Sequence, residues 1–120
     1  MAFEWKYFLD VANHLRQLEK DGLDKEACCR SAISRAYYAA FCHARNYARD
    51  RRSFIPEYSD ADHRNVRERF MKSKTRGVAS ALDQLRQWRN EADYVDDIED
   101  ISSQVQGLLG EAKKVIEWLK

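Results

Sequence analysis

The sequence predicts an all-α protein, an up-and-down helical bundle of four long helices and one short helix. Apolar residues recur at steps of three and four along most of the chain, as they do on the buried face of an α-helix. The 120 residues include only four Gly and one Pro, too few for the many turns of a β-sandwich or barrel. A chain of 14.2 kDa is long enough for one hydrophobic core, so we predict a single domain over residues 1–120.

The first two helices are predicted from their apolar stripes. One stripe marks a helix over about residues 4–20: Trp5, Phe8, Ala12, Leu15 and Leu18. Gly22 is expected to end this segment and Asp24 to cap the next helix. That second helix carries two adjacent stripes, which predicts burial on most sides: Cys29, Ile33, Ala36 and Ala40, then Tyr37, Phe41, Ala44 and Ala48. Its rings Tyr37, Tyr38, Phe41 and Tyr47 could form a stacking surface for bases, but Tyr37 and Phe41 are expected in the core.

The second half of the chain predicts three more helices. After a loop around Pro56, a short basic helix is expected from Ser59 to about Met71. Thr75 is expected to cap a fourth helix that ends near Tyr94. In the last helix, apolar residues follow at alternating steps of four and three, which is an a/d seam: Ile101, Val105, Leu108, Ala112, Val115 and Leu119. This seam is one reason to expect a homodimer.

Charge is unevenly distributed along the chain although its formal net value is only +1. Residues 43–76 contain ten basic and five acidic side chains, whereas residues 90–110 contain six acidic and no basic ones. A basic segment suits contact with phosphates, and an acidic segment suits a basic partner or the basic region of a second copy. The alternative is that both are ordinary solvated helix faces. The candidate RNA contacts are Arg64, Arg67, Arg69, Lys72 and Lys74.

Several common chemistries have no motif in this sequence. It contains no Gly-rich phosphate loop, GxSxG, HExxH or Cys/His set at zinc spacing, so we expect no metal site and no cofactor. Cys28, Cys29 and Cys42 form an odd set, for which reduced thiols are expected. The chain shows neither a long uncharged apolar stretch nor a signal-peptide pattern, so we expect a cytoplasmic protein that does not enter a membrane.

Two segments carry a family resemblance. Residues 30–41, RSAISRAYYAAF, and residues 85–94, LRQWRNEADY, resemble the HEPN family, in particular its small stand-alone prokaryotic members. The resemblance implies a helical bundle, usually dimeric, that works on or near RNA or nucleotides. Many members are metal-independent ribonucleases with an Arg-x4-6-His motif at a dimer interface, often toxins partnered with a minimal nucleotidyltransferase.

The resemblance places the candidate catalytic residues at the end of the fourth helix. Arg89 and Asn90 match the motif, but the residue five positions after the Arg is Tyr94 rather than His. A Tyr with a pKa near 10 is a poor general base at pH 7, although its hydroxyl can donate a hydrogen bond. Arg89 and Tyr94 are about 140° apart on a helix, whereas Arg89 and Asp93 share a face. The alternatives are an Arg89–Asp93 surface pair, or a site that needs local unwinding or a second copy.

His63 is the other candidate general base. It lies on the basic third helix near Arg64 and Arg67, and nearby cations lower a histidine pKa and keep the ring neutral. The alternative is a solvated histidine in the first turn of a short helix.

The sequence therefore leaves three function classes open. The leading prediction is an RNA-directed HEPN protein, either a ribonuclease or toxin of a toxin–antitoxin or defence system. The second is a non-catalytic HEPN module that binds RNA, a nucleotide or a nucleotidyltransferase. The third is an interaction bundle that associates through its charge asymmetry. Whether the chain is an enzyme stays open.

Overall fold

Five α-helices make up the fold over residues 2–120, the part of the chain that the computed structural model describes. A 3₁₀ turn at Leu18–Asp21 separates the first two, and no strand occurs in this range. The helices are α1 (Tyr7–Leu15), α2 (Lys25–Arg51), α3 (Ala61–Arg69), α4 (Arg76–Tyr94) and α5 (Ile101–Trp118). The predicted all-α class is confirmed.

Helix α2 is the centre of the bundle and contacts all the other helices. Its buried face is rich in alanine, including Ala32, Ala36 and Ala40 with no exposed surface. Small side chains let neighbouring helices approach α2 closely. Asp24 caps the helix as predicted, since its carboxylate accepts a hydrogen bond of 2.9 Å from the Ala27 amide.

Contacts at the helix ends establish the up-and-down topology. The end of α4 meets the beginning of α2, where Arg30 donates a 3.0 Å hydrogen bond to the Ala92 carbonyl, so these two helices are antiparallel. The end of α5 meets the far half of α2, where His43 Nε2 lies 2.6 Å from the Leu119 carbonyl oxygen. Helix α5 therefore runs parallel to α2 and antiparallel to α4.

The first helix is shorter than the sequence predicts. Instead of spanning residues 4–20, α1 ends at Leu15, and the Leu18–Asp21 turn then ends at Gly22 with φ +88°. Only Ala12 is fully buried in α1, and no side chain caps the N-terminus of the helix. With so little burial, tertiary contacts do not hold the outer turns helical. The stop at Gly22 is confirmed.

The a/d seam of α5 is used inside the monomer. All six of its residues are at most 7% exposed, so the seam packs on the chain's own core. Periodicity correctly marks a buried face, but this face is covered already. The seam is therefore not evidence for the predicted homodimer.

Two further boundaries differ in detail. Helix α3 is shorter at both ends than the predicted Ser59–Met71 segment. Thr75 is at the N-cap position of α4, but its hydroxyl donates to the Phe70 carbonyl at 2.9 Å instead of capping α4.

Cys28, Cys29 and Cys42 are buried free thiols, as expected, and burial raises the pKa of Cys29 and Cys42.

Among residues 2–120, no helix combines the length and the apolar character needed to cross a bilayer.

Candidate functional site

The side chain of Arg89 is held in place between α2 and α4. It is 16% exposed, and its Nε lies 3.0 Å from Asp93 Oδ2, although this contact lacks hydrogen-bond geometry. Nη1 donates to the Asn90 amide oxygen at 3.0 Å and Nη2 to the Tyr38 hydroxyl at 2.6 Å. The predicted Arg89–Asp93 pair is present, but as a largely enclosed pair, and Ser34 adds a 3.3 Å hydrogen bond to Asp93.

Tyr94 reaches Arg89 without any unwinding of the helix. Helix α4 continues through Tyr94, which confirms the predicted helix end and shows no local unwinding after Ala92. The Tyr94 ring centre lies 5.7 Å from the Arg89 guanidinium carbon, and the Tyr38 ring centre lies 5.1 Å from it. Because the Tyr94 side chain is long and 72% exposed, it approaches Arg89 despite the angular separation along the helix.

His63 is a buried histidine packed between α2 and α3. It is 8% exposed, so the solvated-histidine alternative is wrong. Its ring stacks 4.2 Å from the Phe41 ring and 5.6 Å from the Tyr37 ring. Nδ1 shares a hydrogen bond with the Tyr37 hydroxyl, and burial raises the pKa of that hydroxyl, which stays protonated.

The pKa of His63 is lowered, chiefly by burial and then by Arg86 and Arg89. Arg67 lowers it further, and Asp60 opposes the shift. The direction agrees with the sequence prediction, but the main cause is burial, and the strongest cations come from α4 rather than from α3. At pH 7 the imidazole is therefore neutral.

This lowered pKa makes stability depend on pH. Below about pH 6.5 the unfolded chain binds a proton at His63 that the folded protein does not bind. The free energy of unfolding therefore falls on acidification from that pH down to the lowered pKa of His63 in the folded state. We expect a loss of up to about 1.4 kcal/mol per pH unit in that window, measured by urea unfolding at a series of pH values. His63→Gln should remove this component, whereas His14→Gln, at an exposed site, should keep it. Equal slopes for the parent and His63→Gln would contradict the assignment.

Arg86 is a site residue that sequence reasoning missed. It precedes Arg89 by three positions and therefore shares a helix face with it. Its Nε is buried and has no hydrogen-bond partner among the described residues. It acts electrostatically on both His63 and Tyr37. Arg86 and Arg89 thus both act electrostatically on a neutral histidine.

The sequence also assigned no site role to Tyr38, although this residue lies inside the segment that carries the family resemblance. It is half-buried and connects the two parts of the site. Its hydroxyl holds Arg89, and its ring lies 6.4 Å from the His63 ring. We name the resulting cluster the α2–α3–α4 site, which consists of Tyr38, His63, Arg86, Arg89 and Asp93.

Three of the candidate RNA contacts are exposed on or after α3. Arg64 pairs with Glu68 at 3.0 Å, and both side chains face solvent. Lys72 and Lys74 are exposed in the connection between α3 and α4. These three cations can meet a phosphate backbone without disturbing the core.

The other two candidates have structural contacts, although Arg69 is also exposed. Arg67 is 19% exposed and lies 3.7 Å from Asp83 of α4. Arg69 donates to the Arg52 carbonyl at 2.9 Å and lies 5.4 Å from the Phe54 ring centre. Replacing either would perturb packing as well as charge, so Arg64, Lys72 and Lys74 make the cleaner test of RNA contact.

Across residues 2–120, no group of three or more His, Cys, Asp or Glu side chains is arranged to hold a metal ion.

Comparison with family models, with curated proteins and with solved structures finds no match to this chain. We therefore infer function from the site itself.

Proposed function

We propose that this protein acts on RNA and that the α2–α3–α4 site binds the phosphodiester. The observation that supports this most is that Arg86 and Arg89, on one face of α4, both act electrostatically on the neutral, buried His63. Guanidiniums offset phosphate charge and donate to two of its oxygens at once. In a half-buried position this attraction is screened less than on an open surface.

Cleavage in this proposal needs a base, a charge-stabilising group and a proton donor. His63 accepts the proton of the ribose 2′-OH through Nε2, provided that Nδ1–H donates to the Tyr37 oxygen. The 2′-oxygen then bonds to phosphorus and the bond to the 5′-oxygen breaks, which leaves a 2′,3′-cyclic phosphate. Arg86 and Arg89 stabilise the charge that develops on phosphorus-bound oxygens. The exposed hydroxyl of Tyr94 donates to the leaving 5′-oxygen.

A non-catalytic module is the second candidate, and one observation favours it. All three nitrogens of Arg89 already contact Asp93, Asn90 or Tyr38. His63, at 8% exposed, also has limited access to a substrate. In this case the site binds RNA or a nucleotide, or the fold docks a nucleotidyltransferase, without bond cleavage.

The resemblance noted in the sequence extends the proposal beyond the site. It adds HEPN membership, a toxin or defence role in the cytoplasm, a minimal nucleotidyltransferase partner and a homodimer. Because the α5 seam is internal, dimerisation in this proposal uses another face. The end of α4 is the natural choice, since a second copy there would further enclose the site.

Restoring the missing histidine tests the proposed chemistry. We expect the parent to cleave single-stranded RNA in the presence of EDTA and to leave 2′,3′-cyclic phosphate ends. Tyr94→His should raise the rate by about tenfold or more, because its imidazole titrates near pH 6.5 and exchanges protons at pH 7 far more readily than a phenol. Tyr94→Phe is the matched control, since it removes only the hydroxyl and should lower the rate.

The outcomes of this experiment separate the two candidates. RNA that is bound but not cleaved by either the parent or Tyr94→His would assign the chain to the binding module. If neither protein binds nor cleaves RNA at low salt, the proposed function is wrong.

A further inference from the structure

The connection between α2 and α3 is held in a fixed shape although it has no regular secondary structure. Ser53 and Tyr58 have φ values of +55° and +56°, a region that residues with a Cβ adopt rarely. The Asp62 carboxylate, 2% exposed, accepts hydrogen bonds of 3.0 Å and 2.8 Å from the backbone amides of Glu57 and Tyr58. A buried charge thus maintains an unfavourable backbone conformation.

The beginning of the same segment is anchored as well. The Phe54 side chain is 6% exposed, and its amide donates a 3.1 Å hydrogen bond to the Ala48 carbonyl. Arg69 lies over the Phe54 ring and also binds the Arg52 carbonyl. Both ends of the connection are therefore tied to the bundle.

This fixed segment presents large apolar side chains to solvent. Ile55 is 83% exposed and Tyr58 is 67% exposed. Neither contributes much to the core, so the strained backbone beneath Tyr58 is not explained by packing. Strained backbone that surrounding contacts maintain is common where a side chain must be presented to a ligand.

Tyr58 belongs to a stack of rings and guanidiniums. Arg45 lies between two aromatic rings, 5.6 Å from the Trp5 ring centre and 5.2 Å from the Tyr58 ring centre. Its Nε donates to the Asn46 amide oxygen rather than to a carboxylate. Arg49, on the same helix, pairs with Asp50 at 2.8 Å and lies close to the Tyr58 side chain. We call Trp5, Arg45, Arg49 and Tyr58 the aromatic platform.

We infer that the aromatic platform binds single-stranded RNA, with a base stacked on the open face of Tyr58 and adjacent phosphates on Arg45 and Arg49. This inference rests on the proposed function, to which it adds a surface that binds the single strand outside the α2–α3–α4 site. A flat ring beside guanidiniums matches a base beside phosphates. An acidic peptide would use the cations but would gain little from the exposed ring. The segment leads directly into α3, which carries His63 in its first turn.

The test measures binding of a fluorescent 12-nucleotide uridine RNA by anisotropy at low salt. Tyr58→Leu should weaken binding about tenfold or more, because each stacked base contributes substantially, whereas Tyr58→Phe should bind within about twofold of the parent. Ser53→Gly is the matched control: it changes the same strained loop without removing a ring and should leave binding unchanged. An abasic oligonucleotide of equal length should bind weakly and show no dependence on Tyr58.

Four results would overturn the inference. These are parent-like binding by Tyr58→Leu, equal affinity for the abasic and uridine oligonucleotides, equal affinity for a fully base-paired RNA, and Tyr58-dependent binding of a glutamate peptide in place of RNA. The last result would assign the platform to an acidic protein partner. If Arg89→Ala weakens RNA binding while Tyr58→Leu does not, the proposed function survives without the platform. If the parent binds no RNA, both are wrong.

Discussion

Replacing Arg89 by alanine is expected to lower the rate of RNA cleavage by about 100-fold or more. In the proposed mechanism the substitution removes a guanidinium that stabilises charge in the transition state, and losing one such donor typically has an effect of this size. It also releases Asp93, which then places an uncompensated carboxylate beside the substrate phosphate. The measurement is the single-turnover rate on a defined RNA, together with the dissociation constant of that RNA.

Two further variants distinguish a specific role of the Arg89 guanidinium from a general effect of lost charge or lost folding. Arg76→Ala removes an exposed arginine from the first turn of the same helix and should change the rate little. Arg89→Lys keeps the positive charge but loses the planar donor set, so it should resemble the alanine variant. If Arg89→Ala matches Arg76→Ala in both rate and affinity while its thermal unfolding shows a folded protein, Arg89 has a structural role only.

Replacing Asp62 by alanine is expected to lower the free energy of unfolding by about 3 kcal/mol. Its carboxylate is 2% exposed and accepts two backbone hydrogen bonds. Hydrogen bonds to a charged group contribute about 1.5–3 kcal/mol each, and their removal leaves two amides unsatisfied. The measurement is urea unfolding followed by circular dichroism.

Asp60→Ala is the matched control for this prediction. Asp60 is exposed, two residues away and without a side-chain capping bond, so its loss should cost no more than about 0.5 kcal/mol. Asp62→Asn should fall between the two variants, because an amide keeps one acceptor oxygen. Equal unfolding free energies for Asp62→Ala and Asp60→Ala would show that the carboxylate does not hold the connection.

The long helices could be predicted from sequence because their signals are local. The bounds of α2 and α4 follow from apolar periodicity, and the Asp24 cap of α2 spans only a few residues. The predicted lengths of α1 and α3 were too great. An apolar stripe shows which face of a helix is buried, but the number of turns that stay helical depends on contacts with other elements.

Part of the site could also be predicted from local helix geometry. The Arg89–Asp93 pair is four residues apart on one helix, and the structure shows it at 3.0 Å. The packing of Tyr37 and Phe41 in the core was predicted in the same way and is confirmed. In each case a helical repeat is sufficient to place the side chains.

By itself, the sequence determined the all-α class, the central position of α2 and the face that α5 buries. Only the tertiary structure decided that α5 is covered by its own chain and that His63, far from Arg86 and Arg89 in sequence, shares a site with them. It also decided that Asp62 supports the strained backbone of Tyr58. The physical reason is that burial and charge at these positions come from other helices, and the helical repeat carries no information about which distant residues become neighbours.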